Sequence, residues 1–187
     1  MNEIAPRWLI FTLASVLLAS CEIEAAPPVT RINLLSSTNS FGEACIPYSE
    51  FNLNKVATEA PLSAVVNLLG EPQRRLSVAP DSDIPVSAFV YPGLIVYHFN
   101  EKVAELYATD SMWETPSGLH VGLTDDELIN ILGRVPTVTD RYDDPVAYEI
   151  PVCDQSLSSE VWTATIFVIL LNDEGVVTAL SIEREWP

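Results

Sequence analysis

Lysine is nearly missing from this chain: Lys55 and Lys102 are the only two among 187 residues. Lys and Arg together number nine against 26 Asp and Glu, a formal charge of −17. Nucleic-acid affinity comes from cationic side chains neutralising phosphates, so nucleic acid is excluded as a partner. Docking of a basic patch on anionic lipid is excluded on the same ground. The charge implies instead a soluble, self-repelling surface. A membrane-spanning run is also lacking. The uncharged stretch 8–20 is 13 residues long, whereas a crossing helix needs about 20. Catalytic signatures are missing too: there is no Gly-x-Ser-x-Gly elbow, phosphate loop, His-Glu-x-x-His or EF-hand spacing. With two His and three Cys, no zinc-ligand spacing arises. His98 falls in a strand pattern and His120 in a turn, neither with the positioned partner that acid–base catalysis needs. The acidic groups at Asp81/Asp83, Asp125–Glu127, Asp143/Asp144 and Asp173/Glu174 suit turns and helix starts better than a metal. The expectation is a protein that is not an enzyme, without metal or cofactor.

What is present begins with an address. Arg7 and the amino terminus precede the apolar stretch 8–20, the pattern of a secretory leader. Leu18-Ala19-Ser20-Cys21 resembles the bacterial lipobox. That resemblance implies cleavage before Cys21, a thioether-linked diacylglycerol on its sulfur and an acylated amino terminus. Several acyl chains anchor a protein stably where one does not. Residue 22 is Glu, not the Asp associated with inner-membrane retention. In a Gram-negative host this implies the periplasmic face of the outer membrane. Lipidated Cys21 leaves Cys45 and Cys153 as an even pair in an oxidising compartment, and they are expected to form a disulfide. The alternative is two buried free thiols. The reading divides the chain into a leader (1–20), a tether (21–40) and a domain (41–187).

Within the domain, two segments read as helices: PLSAVVNLLGEP at 61–72 and TDDELINILGRVP at 124–136. Leu128, Ile131 and Leu132 form one apolar stripe. Thr124 with Glu127 makes a capping box, and Gly70 and Gly133 are the expected left-handed stops. Strands are expected at 86–91, 94–99 and 103–109, then at 147–150, 161–171 and 176–182. Polar turns at Asn100–Glu101 and Asn172–Gly175 mark two hairpins. The fold class expected is α+β. Two helix-plus-antiparallel-sheet units, about 41–115 and 116–187, would stand in tandem within one domain.

Residues 118–136, GLHVGLTDDELINILGRVP, resemble the core motif of the SmpA/OmlA lipoproteins. These include the BamE-type small lipoprotein of the outer-membrane barrel-assembly machinery. Gly122, Leu123, Thr124, Glu127, Leu128, Leu132 and Gly133 carry the likeness, with Pro136 one residue late. Leu69-Gly70-Glu71-Pro72 matches the second half of the motif. Two such units in tandem are similar to the β-lactamase-inhibitor-protein architecture, in which a concave sheet grips a hydrolase.

Alternation in 94–99 puts Ile95, Tyr97 and Phe99 on one face. In 103–109 it puts Val103, Glu105 and Tyr107 opposite Ala104, Leu106 and Ala108. Glu105 and Tyr107 are therefore the candidate interaction residues, with Ser181 and Glu183 at matching positions. Trp113, Trp162 and Trp186 are expected in the core or at its rim. The function expected is that of a non-catalytic scaffold, anchored to the membrane through lipid and bound to an envelope protein. The alternative is a periplasmic inhibitor or sensor that binds a hydrolase through the sheet.

Overall fold

Segments such as Leu94–Phe99 are rich in β-branched and aromatic side chains, which suit a pleated, half-buried surface. Strand accordingly dominates. The computed structural model describes residues 33–39, 42–78, 86–134, 136, 138–139, 146–153 and 165–184. In chain order the elements are β1 (Ser37–Thr38), β2 (Ala44–Cys45), β3 (Asn52–Leu53), β4 (Val56–Ala57), α1 (Leu62–Leu69), β5 (Arg74–Ser77), β6 (Ser87–Tyr91), β7 (Leu94–Phe99) and β8 (Lys102–Ala108). After these come α2 (Asp125–Leu132), β9 (Val138–Thr139), β10 (Val146–Pro151), β11 (Thr165–Leu171) and β12 (Val177–Arg184).

Eight strands form one sheet in the order β5-β6-β7-β8-β12-β11-β10-β9. Every neighbouring pair is antiparallel. This corrects the expected fold class. The described chain is mostly β, with two eight-residue helices, rather than tandem helix-plus-sheet units. The physical reason lies at the β8–β12 seam. Leu180 and Ile182 pair with Ala108 and Leu106 there, so the ladder runs through the place where two units would have parted.

The helices follow from local chemistry. Thr124 Oγ1 accepts from the Glu127 backbone N–H at 3.4 Å, and Glu127 Oε2 accepts from the Thr124 N–H at 2.9 Å. This is the reciprocal capping box. Its two hydrogen bonds to Thr124 hold the Glu127 carboxyl below the usual range. Gly133 stops α2 at φ 85°, ψ −15°, the left-handed cap. Gly70 ends α1 at φ 82° but ψ −170°, so that stop is not left-handed. Among the described residues no helix is long and apolar enough to cross a membrane.

The core lies between the helices and one face of the sheet. Leu62 and Val65 of α1 and Leu128 and Leu132 of α2 join Val96, Leu106, Phe167, Ile169, Leu180 and Ile182. Trp113 is part of it, and its indole N–H donates to the Pro92 carbonyl at 2.8 Å. Trp162 and Trp186 lie outside the described residues. Leu34 and Leu35, within the segment read as tether, are buried in the same core. One face assignment is corrected. The β7–β8 register shifts between Tyr97 and His98, so Val103 sits opposite His98 and is buried in the core rather than sharing a face with Glu105. A bulge adds one unpaired residue, here Ala104, and resets the alternation.

Cys45 and Cys153 form a disulfide, with a Cα–Cα distance of 5.0 Å and a sequence separation of 108. Around it the Cys153 N–H donates to the Ile46 carbonyl, and the Ile46 N–H to the Pro151 carbonyl, both at 2.9 Å. Bridge and hydrogen bonds together fasten the segment after β2 to the end of β10.

Candidate functional site

The sheet face turned away from the core is built by register. Tyr97, Glu105 and Glu183 form one cross-strand row over β7, β8 and β12. Tyr107, Ser181 and Val168 form the next row, over β8, β12 and β11. With Leu170 these residues enclose an open depression of about 270 Å³. Its floor is well covered: Ser181 and Val168 are buried.

The electrostatics of the depression centre on Glu105. Its Oε1 accepts from the Ser181 hydroxyl at 3.0 Å. Burial, followed by the facing Glu183, pushes the Glu105 carboxyl up from 4.5 to about 7, and the hydrogen bond only partly offsets this. Tyr97 is also raised, first by burial and then by the negative charge of Glu105. Like charges directly opposite one another in a ladder are unfavourable. The arrangement therefore invites a proton or an external cation between the two carboxylates.

The candidate residues are thus placed as follows. Glu105 and Tyr107 share the depression, and Ser181 and Glu183 lie across from them. Ile95 pairs with Tyr107 on the same face. His98 packs edge-on against Phe89, with ring centroids 4.8 Å apart, and its Nε2 is buried without a hydrogen-bond partner. Burial lowers its pKa. His120 Nδ1 lies 2.9 Å from the Val121 carbonyl oxygen in the turn before α2. Cys21, with the leader and most of the tether, lies outside the described residues, as do Asp81/Asp83 and Asp143/Asp144. Val168 and Leu170 were not among the candidates. The signal for them is the run Ile166-Phe167-Val168-Ile169-Leu170-Leu171, apolar at every position, which puts apolar side chains on the outer face of the strand as well as on its core face.

A second buried carboxylate has a structural explanation. Glu50, 4% exposed, accepts from the Ser117 N–H at 3.0 Å and the Ser117 hydroxyl at 2.9 Å. It pins the turn after Trp113 onto the segment before β3.

No family model matches the chain, and no curated protein is similar to it. Among solved structures, one neighbour is an extracellular protein containing an SCP domain from Bacillus anthracis str. Ames. It shares 11% identity over 67% of this chain and 43% of its own, with a TM-score of 0.43. Another is a cysteine-rich secretory protein from Staphylococcus aureus subsp. aureus Mu50. Its identity is 14%, over 81% of this chain and 48% of its own, with a TM-score of 0.48. The chain spans less than half the length of either protein. With no family model matched and one eight-stranded sheet in place of tandem units, the SmpA/OmlA and β-lactamase-inhibitor-protein recognition is corrected. The residues behind it have a local explanation: Thr124 and Glu127 cap the start of α2, and Gly133 ends it. Any short helix with an abrupt start and stop selects such residues. The disulfide is consistent with an envelope or extracellular location.

Proposed function

We propose that the protein is a non-catalytic interaction module of the cell envelope, tethered by lipid on Cys21, which meets a protein partner through the sheet face around Glu105 and Tyr107. The observation that carries this reading is the depression itself, where two tyrosines and two apolar residues border a pair of facing glutamates. Tyrosine provides contact area with a polar tip, the combination favoured at binding surfaces. The resemblance of Leu18-Ala19-Ser20-Cys21 to a lipobox supports the tether, and an acidic surface would favour a soluble domain beside the membrane.

The test is site-specific photocrosslinking in intact cells. A photoreactive residue replacing Tyr107 should give one discrete adduct, and the same residue replacing the exposed Met112 should not. Equal adducts from both positions, or none from either, would remove the face from consideration. If the adduct is a soluble hydrolase that loses activity when bound, the inhibitor reading replaces the scaffold reading. The anchor is tested separately: palmitate labelling should disappear in Cys21→Ser.

A further inference from the structure

Resting on the interaction face just proposed, we infer that the depression between Glu105 and Glu183 is a socket for the guanidinium group of an arginine side chain on the partner protein. Four features of the depression point to this occupant.

The first is charge. Glu105 and Glu183 face each other directly across the β8–β12 ladder. Arg74 pairs with Val90 toward the far edge of the sheet, and Lys102 pairs with Phe99 at the hairpin end. Neither acts on Glu105, where the charge felt is that of Glu183. No cation is among the groups that act on the partly buried Glu105, whose facing charge is another carboxylate.

The second is the wall. Tyr97 and Tyr107 line the same space, and aromatic faces attract cations, arginine more often than lysine. The third is the floor. Val168 and Leu170 offer apolar surface to the methylene stem that carries the charged head. The fourth is size. At about 270 Å³ the space lies at the small end of ligand sites, which run roughly 300–1,000 Å³. It suits one long side chain. A planar fork of five donors can bridge two carboxylates and lie against a ring at once, which a compact ammonium cannot do. The formal charge of −17 would speed the encounter with a cationic partner surface.

The probe is N-acetyl-arginine amide, titrated at pH 8 into isotopically labelled full-length protein in detergent micelles. Amide shifts are followed by NMR. Saturable shifts should be confined to Tyr97, Glu105, Tyr107, Ser181 and Glu183. Binding should be at least tenfold weaker for the neutral isostere N-acetyl-citrulline amide and severalfold weaker for N-acetyl-lysine amide. The Glu105→Gln/Glu183→Gln variant keeps side-chain shape and the acceptor for Ser181, so it should fold normally and lose at least tenfold in affinity. No shifts, equal binding of the citrulline probe, equal binding of the lysine probe or unchanged binding in the variant would each overturn the inference. So would self-association of the protein that the variant abolishes, because the arginine would then come from a second copy. Repeating the Tyr107 photocrosslink in the variant separates the two proposals. If the arginine probe fails while the adduct persists, the interaction face stands without an arginine socket. If the arginine probe fails and the parent protein itself gives no Tyr107 adduct, both readings fall.

Discussion

Glu105 lies opposite Glu183, accepts one hydrogen bond from Ser181 and is largely removed from water. Its carboxyl binds a proton more tightly in the folded protein, at about 7, than at its ordinary value of 4.5. A raised carboxyl works against the folded state once ionised. Between these two values the native state holds more proton than the unfolded chain, so stability falls as pH rises. It is highest below about pH 4.5 and levels off above about pH 7 as far as this group is concerned. The difference is at most about 3 kcal/mol, less the screening by water that still reaches the group. Glu105→Gln should remove this slope and leave the variant more stable than the parent at pH 8. Urea unfolding of both proteins from pH 4 to 8 measures this directly. Parallel pH profiles for parent and variant would show that Glu105 is not the titrating group.

At the scale of elements, legibility followed the range of the interactions. The start of α2 was readable because a capping box is written in two residues three apart, Thr124 and Glu127. The β7–β8 hairpin was readable because the polar pair Asn100-Glu101 separates two apolar strands; in the structure these two residues take φ values of 48° and 63°. That Glu105 and Tyr107 share a face was readable from alternation alone. What alternation could not reveal is the bulge beside His98, which sends Val103 into the core. A bulge is decided by both strands of a pair, and one strand's pattern does not contain it. Packing of Leu34 and Leu35 was hidden for a similar reason. Two leucines in a polar stretch give no period, and their burial depends on distant elements such as α2. Asn33, just ahead of them, lies so close to Gly133 that a β-carbon there would overlap its side chain. The α2 stop is thus also a seat for the N-terminal segment. Thr124→Ala, which removes only the cap, should cost about 1 kcal/mol. Gly133→Ala, which meets both the left-handed backbone and Asn33, should cost more, about 2–4 kcal/mol. Thermal or urea unfolding of the two variants ranks them, and the reverse order would refute this account of the stop.

For the molecule as a whole, the question is whether the chain before and after residue 115 can fold separately. Halves that share one sheet should be marginal alone, and the sheet runs through this division. The β8–β12 ladder joins the first four strands of the sheet to the last four, and Leu106, Leu180 and Ile182 pack into one core. The bridge from Cys45 to Cys153 spans the same division. So does the hydrogen bonding of Glu50 to Ser117. A cut at 115 would leave two open edges in mid-sheet, each with unpaired backbone groups and half of an apolar layer. Fragments of that size bury too little surface to be secure on their own. Expressed separately, 31–115 and 116–187 should each lack a cooperative thermal transition, and mixing them should restore one. Under oxidising conditions the restored complex should hold through the bridge. After the cut the bridge from Cys45 to Cys153 no longer closes a loop but links two chains, so reducing it should lower the transition and make it depend on fragment concentration. Calorimetry of each fragment, of the mixture and of the reduced mixture decides the matter. Two fragments that melt cooperatively alone would mean that β8 and β12 merely abut, and that the seam is an interface between units rather than the middle of one sheet.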